Sequence, residues 1–324
     1  MRTLVTGATG LVGNNVVRLL LARGREVRVL TRDASNMRSL EGLDVEHARG
    51  DVRDADSVRQ AVKGVGLVIH SAAHVHIGWT GLDLARAVNV EGTRNVAEAA
   101  RAEGIKMVHV SSIDALGVRP LSDPATEDTP PDNGVLCPYV VTKREAEQVV
   151  LEAVGRGLNA TIVNPSFMLG PWDWKPSSGR MLLQVAKGRG VFAPLGTNNF
   201  CDVRDVAEGI LLAAEQGQPG RRYILGGETL SYFQAWRLFA HVTGSWPPLL
   251  PAGPLIRIAA GKVGDLLTRM TGRESDVNSA ATTMSASQRH VTSARAQAEL
   301  GYNPRPVREA VETAWAWFKE YGYA

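Results

Sequence analysis

The chain has 324 residues, of which 44% are hydrophobic and 21% charged, and its formal net charge is +3. These values are typical of a globular protein with two domains, or one domain with a sizeable insertion, and they exclude a wholly disordered or collagen-like chain. Cys137 and Cys201 are too few for a disulfide scaffold or a Cys-rich zinc site, so we expect no metal, and without a dense Lys/Arg tract nothing favours a nucleic-acid partner.

Short apolar runs alternate with amphipathic helical patterns along the first half of the chain. The runs predict strands at 3–6, 27–30, 67–69, 107–110 and 160–163. The patterns predict helices at 11–23, 90–103 and 139–154. Because strands that alternate with helices form crossover units, residues 1–165 are predicted to form an α/β fold with a doubly wound parallel sheet.

The second half of the chain has a different character. Proline and glycine recur and strand signals become sparse, although 223–225 predicts one more strand of the sheet. We therefore expect two interleaved domains. The first contains 1–165 and about 201–226, and a smaller, mostly helical second domain contains 166–200 and 227–324.

Two stretches bear on the compartment. The strand-like run directly after Met1 leaves no room for a signal peptide. The apolar stretch 254–270 contains Arg257, Lys262 and Asp265, and is too charged to span a bilayer. We expect a cytoplasmic protein without a membrane partner.

A glycine-rich turn follows the first predicted strand and opens the first helix. Gly7, Gly10 and Gly13 are spaced three apart in the run 6–13. Glycine permits a tight turn and leaves the backbone open to a pyrophosphate, which the N–H groups of the helix face. The predicted dinucleotide-binding residues of this turn are Gly7, Thr9, Gly10, Leu11, Val12 and Gly13.

The T-G-x-x-G-x-x-G spacing resembles that of the extended short-chain dehydrogenase/reductase superfamily, and further motifs extend the resemblance over almost the whole chain. It implies that Asp51 and Val52 contact the adenine, and that small residues after the fourth strand let the cofactor lie against the backbone. The resemblance also implies that Asn89, in Asn-Val-Glu-Gly-Thr, has a structural role or supports the site from a position that faces the cofactor. The cofactor-binding residues expected from the resemblance are Asp51, Val52, Ser71, Ala72, Ala73, Asn89, Asn164 and Pro165.

The end of the second strand bears on the choice of cofactor. Arg32 stands where NAD enzymes place an acid for the ribose hydroxyls, and an arginine suits a 2′-phosphate instead. Arg38 could reach the same phosphate. We favour NADP(H), and NAD(H) stays open because a shift of one residue would put Asp33 at this position.

Tyr139 and Lys143 are four residues apart on a predicted helix and so share one face. A nearby ammonium favours the phenolate, so we expect a lowered pKa that lets Tyr139 exchange a proton with a substrate oxygen near neutral pH. The resemblance implies that Lys143 also binds the nicotinamide ribose. It further implies a catalytic serine at the end of the fifth strand, where Ser112 fits better than Ser111.

Substrate-side residues are expected after the fourth and sixth strands. His74 follows the fourth strand, and Met168 and Trp172 follow the sixth, where relatives border the substrate. Indole rings there favour an apolar or aromatic substrate, with ordinary packing as the alternative. Ser112 would polarise the reacting oxygen.

Three functions fit these residues. The first is an NADP(H)-dependent oxidoreductase acting on a carbonyl or alcohol of a small, apolar substrate, because the chain is similar to dihydroflavonol-reductase-like enzymes. The second is an NAD-dependent nucleotide-sugar epimerase or dehydratase, because it is also similar to hopanoid-associated sugar epimerases. The third is a non-catalytic cofactor-binding protein. Relatives often dimerise through the helices near 91–103 and 139–154, so a homodimer is a further expectation.

Overall fold

The computed structural model describes residues 1–32, 37–272 and 274–324. Numbered along the chain, the strands are β1 (Thr3–Thr6), β2 (Val27–Thr31), β3 (Glu46–Arg49), β4 (Leu67–His70), β5 (Lys106–Val110), β6 (Ala160–Pro165), β7 (Phe167–Leu169), β8 (Phe192–Ala193), β9 (Thr197–Asp202), β10 (Arg222–Leu225), β11 (Glu228–Ser231) and β12 (Leu250–Pro251).

The helices, numbered in the same way, are α1 (Leu11–Ala22), α2 (Ala55–Val62), α3 (Leu82–Ala85), α4 (Gly92–Ala102), α5 (Pro138–Gly155), α6 (Gly179–Ala186), α7 (Val203–Gln216), α8 (Tyr232–Thr243), α9 (Pro254–Thr271), α10 (Ser279–Met284), α11 (Ala294–Leu300) and α12 (Val307–Glu320). A π-helical segment, Arg86–Glu91, joins α3 to α4. No helix in the described ranges combines the length and the hydropathy of a membrane span.

A seven-stranded parallel sheet with the order β10-β6-β5-β4-β1-β2-β3 forms the centre of the molecule. Its inner strands are rich in valine, isoleucine and leucine and are buried along their length, as a sheet covered on both faces requires. Val16 of α1 and Ile210 of α7 share one apolar cluster, and Val96 of α4 and Val150 of α5 share another. The predicted doubly wound α/β fold is confirmed.

The second half of the chain contains more strands than its sequence predicted. β11, β9 and β7 form a three-stranded sheet, and β12 pairs with β8. The three-stranded sheet packs against α8 and α12 through Phe200, Phe239 and Val311. The helix-rich character of this region is as expected, whereas the exact division into two domains stays a prediction.

The strand order places a topological switch point between β1 and β4. Chain connections leave these neighbouring strands in opposite directions, so a crevice opens at their carboxyl ends, where open α/β sheets bind ligands. β5 lies beside β4 and β6 lies beside β5, so the residues that follow all these strands meet at the same edge.

Candidate active site

The turn after β1 packs directly on the chain that follows β4. Gly7 has a φ of +71°, in the left-handed region, and a Cβ there would lie 2.6 Å from the backbone nitrogen of Ala72. A Cβ on Gly13 would lie 2.3 Å from the carbonyl oxygen of Gly7. Both positions therefore require glycine, for conformation at Gly7 and for close approach at Gly13.

The amino terminus of α1 is arranged for an anion. Its cap, Gly10, has no side chain, and no acidic residue stands in the first turn. Thr9, Leu11 and Val12 are half-buried around it. The first N–H groups of a helix have no partner within the helix, and its dipole favours negative charge there. These residues fit the pyrophosphate of a dinucleotide.

The residues after β4 complete this part of the crevice. Ser71 donates a hydrogen bond of 2.7 Å from its hydroxyl to the carbonyl oxygen of Thr6, and the N–H of Ala72 donates to the Thr6 hydroxyl. Ala72 and Ala73 are half-buried and present only methyl groups. The small side chains leave room beside the glycine turn.

Arg32 and Arg38, the residues predicted to select the cofactor, are both exposed. Within the described part of the chain, no carboxylate lies within salt-bridge distance of Arg32, while the guanidinium of Arg38 lies 5.1 Å from the ring centre of Trp174. Asp33, the residue of the NAD alternative, lies outside the described residues. The exposed guanidinium of Arg32 is compatible with a 2′-phosphate.

Asp51 and Val52 follow β3. The carboxylate of Asp51 accepts hydrogen bonds of 3.1 and 2.8 Å from the guanidinium of Arg53, and this pairing lowers its pKa. Val52 is buried and meets Gly92 at the start of α4. Adenine contact by this pair stays a prediction.

Ser112, Tyr139 and Lys143 come together at the carboxyl edge of the sheet. Ser112 follows β5, and both other residues lie on the first turns of α5, where the Lys143 ammonium nitrogen is 5.9 Å from the centre of the Tyr139 ring. Lys143 donates a hydrogen bond of 2.8 Å to the carbonyl oxygen of Val110. The Ser112 side chain lies close enough to the Tyr139 phenol to lower the pKa of that phenol. Ser111, the alternative serine, is also buried, and its hydroxyl has no partner among the described residues.

The pKa of Tyr139 corrects the expectation from the sequence. It is raised above the ordinary value, because the phenol is buried and because the Asp114 carboxylate disfavours a second negative charge. Burial also lowers the pKa of Lys143, to about 8. The sequence predicted the attraction between phenolate and ammonium, but burial opposes the charged form of both groups.

Asn164 and Glu147 form a buried hydrogen-bond network next to Ser112 and Lys143. The side-chain amide of Asn164, at the end of β6, donates to the carbonyl oxygen of Ser112 at 2.9 Å and to Glu147 at 2.6 Å. Glu147 is buried one helical turn from Lys143 and also accepts a hydrogen bond from Arg222. Pro165 follows and is buried in the same strand. Asn164 thus positions Ser112, whereas its predicted contact with the cofactor stays a prediction.

Asn89 fastens the loop after β4 to the catalytic helix. Its side-chain oxygen accepts from the N–H of His74 at 2.6 Å, and its amide donates to the His74 carbonyl and to the Thr142 hydroxyl. Thr142 directly precedes Lys143. These contacts give Asn89 a structural role, and a role facing the cofactor, which the resemblance also allowed, stays a prediction.

The site contains one charged pair, Asp114 with Arg289, that the sequence did not predict. Asp114 accepts a hydrogen bond of 3.2 Å from the Ser112 hydroxyl, and it forms an ion pair with Arg289, whose side chain is 10% exposed. Both charges affect the pKa of Tyr139, which Asp114 raises and Arg289 lowers. The position of Asp114 two residues after Ser112 was a usable signal, but nothing in the sequence brings Arg289, 175 residues away, to the same place.

A cover over Tyr139, called the roof here, consists of residues 74–80 after β4 and 274–284. Ala280 and Met284 of α10 share an apolar cluster with Tyr139. Glu274 joins the two segments by accepting hydrogen bonds from His76, at 2.7 Å, and from the backbone N–H of Trp79, at 2.6 Å. His74, a predicted substrate-binding residue, is half-buried at the start of this roof.

Trp172 makes the contacts expected of a residue that packs inside the protein, which was the alternative to a role in substrate binding. Its ring lies 6.0 Å from Trp317 and 5.8 Å from Tyr321, and the Arg18 guanidinium lies 3.3 Å from its centre. Met168 is half-buried in β7 against the main apolar core. The two residues anchor the chain after β6, and substrate contact by either stays a prediction.

Comparison with known proteins is consistent with this arrangement. A model of the NAD dependent epimerase/dehydratase family matches residues 3–226. "Sterol demethylase protein B" of Methylococcus capsulatus is 40% identical, over 99% of each chain. A "putative dihydroflavonol 4-reductase" of Synechocystis is 34% identical, over 98% of this chain and 95% of its own. Among solved structures, that of gox2253 superposes with a TM-score of 0.86 at 39% identity, covering 99% of this chain and 98% of its own.

Proposed function

Because this chain belongs to the NAD-dependent epimerase/dehydratase family, a family of NAD(P)-dependent reductases and epimerases, we propose that it is an NADP(H)-dependent oxidoreductase. Its substrate is a small apolar or aromatic molecule with a carbonyl or secondary alcohol. The observation that carries the proposal is the convergence of Ser112, Tyr139 and Lys143 beside the glycine turn. The relatives named for a sterol and a dihydroflavonol support the substrate class.

The roles of the residues follow from their contacts. The chemistry that a nicotinamide dinucleotide supplies when bound is hydride transfer. Ser112 donates a hydrogen bond to the substrate oxygen and polarises the carbonyl. Tyr139 delivers the proton to that oxygen, and the Lys143 ammonium stabilises the phenolate that remains.

The test measures oxidation of NADPH with a panel of apolar ketones and aldehydes. Tyr139→Phe should lower kcat by about 10²–10⁴-fold, because it removes the proton donor while leaving the packing intact. Tyr321→Phe, in the aromatic cluster of the C-terminal helix, is the matched control and should keep the wild-type rate. An unchanged rate in Tyr139→Phe contradicts the proposed role.

The nucleotide-sugar alternative is less well supported by the residues near β9. Asn198 donates to the Tyr232 hydroxyl at 3.0 Å, and Asn199 donates to the Gly227 carbonyl at 3.0 Å, so both amides are engaged within the protein. Residues 197–201, directly before Asp202, contain no arginine to clamp a diphosphate. An epimerase retains its cofactor between half-reactions, so release of NAD from the denatured protein, with binding of a sugar nucleotide, would favour this alternative.

A further inference from the structure

Helix α9 presents its apolar side to solvent. Leu255 is 83% exposed and Met270 is 76% exposed. The large apolar side chains exposed on this helix are Leu255, Ile256, Ile258, Val263, Leu266, Leu267 and Met270. An amphipathic helix on the surface of a globular protein normally turns this side inward, so the orientation of α9 calls for a partner.

Close packing by two glycines fixes the helix in this orientation. Gly261 and Gly264 are buried, and a Cβ on Gly264 would lie 1.5 Å from the carbonyl oxygen of Val277. The N–H of Ser279 also donates to Asp265 at 3.0 Å. Because only the glycine side fits against the following segment, the apolar side cannot rotate inward.

The exposed apolar surface continues beyond the helix. Trp246 is 87% exposed, and Leu249 and Leu250 follow it immediately before α9. β12 pairs with β8, which places exposed Phe192 next to Leu250. We call these side chains, together with the exposed side of α9, the α9 surface.

The charges at the edge of the α9 surface are basic. Lys262 and Arg269 are exposed and seven residues apart, hence on the same flank of the helix. Asp265, the acidic residue of α9, is half-buried and bonded to Ser279. Apolar side chains flanked by lysine and arginine are the pattern of a helix that lies in the interface of an anionic membrane.

A second copy of the chain fits the same surface less well. In a twofold-symmetric antiparallel pair of helices, each flank meets the same flank of the other copy. If the twofold axis passes between these two residues, Lys262 of one copy faces Arg269 of the other, and the like charges repel each other. We therefore propose that the α9 surface docks the protein on the surface of an anionic lipid bilayer without spanning it.

This docking leaves two layers, α9 and the segment on which it packs, between the lipid surface and the reacting phenol. α9 packs on the segment 277–282, and Ala280 there belongs to the apolar cluster that contains Tyr139. Docking would bring a water-insoluble substrate that is dissolved in the bilayer close to the segment that covers Tyr139. The benefit rests on the proposed function, whereas the docking itself does not. The charged residues of 254–270 still exclude a membrane span, but binding to the membrane surface departs from the expectation that the protein has no membrane partner.

The test is flotation of the full-length protein with vesicles. Vesicles of phosphatidylcholine and phosphatidylglycerol in equal amounts should carry the wild-type protein upward, and added salt should weaken this binding. Leu266→Asn with Met270→Asn should lower the partition coefficient about tenfold or more, because the apolar contacts are lost. Lys262→Gln with Arg269→Gln should reduce binding to the mixed vesicles and leave any binding to pure phosphatidylcholine unchanged.

Leu121→Asn is the matched control, because Leu121 is 65% exposed on a loop outside the α9 surface. It should float like the wild type. A wild-type protein that stays at the bottom of the gradient, or a double asparagine variant that floats normally, overturns the proposal. The proposal is also overturned if light scattering shows a dimer for the wild type and a monomer for the double asparagine variant, and the wild type does not bind vesicles. Flotation without reductase activity would refute only the proposed function.

Discussion

The phenol of Tyr139 lies where burial and the Asp114 carboxylate both favour its protonated form. At neutral pH the phenol is therefore protonated, and in the proposed reaction it would donate its proton to a substrate carbonyl. After donation, the phenolate depends on the nearby charge of Lys143. Burial has made this charge sensitive to pH, because it lowers the pKa of Lys143 to about 8.

We predict that the rate of carbonyl reduction falls as the pH rises through about 8, because Lys143 loses its charge there. In Lys143→Arg the guanidinium stays charged, so this decline should disappear even if the maximal rate is lower. Initial rates with saturating NADPH between neutral and alkaline pH provide the measurement. A decline of the same position and shape in the arginine variant would show that another group titrates.

At the scale of elements, the roof depends on a bond between distant parts of the chain. Burial raises the pKa of Glu274, but hydrogen bonds from Thr80, His76 and the backbone N–H of Trp79 outweigh it and lower the pKa to about 2. The ordinary value is 4.5. Because the folded pKa lies below the unfolded one, the ionised carboxylate contributes stability above about pH 4.5 and loses it as the pH falls towards 2.

Glu274→Gln should lower the free energy of unfolding at neutral pH by roughly 1–3 kcal/mol, since the amide cannot replace a charged acceptor. The difference between variant and wild type should shrink as the pH is lowered from about 4.5 to 2. Urea titrations at several pH values measure this. The exposed Glu312→Gln on α12 is a control, and a difference that stays constant with pH would contradict the assignment.

The elements differ in how well they could be predicted from the sequence. The apolar runs around 67–70 and 107–110 and the glycine turn were enough for the sheet and the cofactor end, because their signals are local. The sequence did not predict β7, β9 and β11. β9 is rich in asparagine, and it forms a strand because it pairs with β7 and β11. The pair of Asp114 and Arg289 depends on tertiary contact between remote segments, so sequence spacing gives no sign of it. The raised pKa of Tyr139 required the burial that only the fold supplies.

At the scale of the whole molecule, the proposed dinucleotide would bridge separate elements. The glycine turn after β1, Arg32 after β2 and the catalytic helix α5 all border one edge of the sheet. A ligand that contacts all of them binds only the folded chain, so its binding energy adds to the stability of the fold.

We predict that NADPH raises the unfolding temperature more than NADH does, because Arg32 can pair with the extra phosphate. At a cofactor concentration of about 100 times Kd the stabilisation should be roughly 2.7 kcal/mol. Arg32→Ser should reduce the NADPH effect to that of NADH. Arg59→Ser on α2, which removes an exposed arginine elsewhere, should leave both effects unchanged. Equal stabilisation by the two cofactors in the wild type would refute the preference for NADP(H).

The roof also has a consequence for biosynthesis. The glycine turn, Ser112, Tyr139 and Lys143 emerge from the ribosome well before residues 274–284, which cover Tyr139. A nascent chain could form the nucleotide crevice at that stage, yet its phenol would still be hydrated and the apolar substrate would have no enclosed place to bind. If the proposed function is correct, catalytic competence is acquired only when the last quarter of the polypeptide has been made, so an unfinished chain would not consume reduced cofactor.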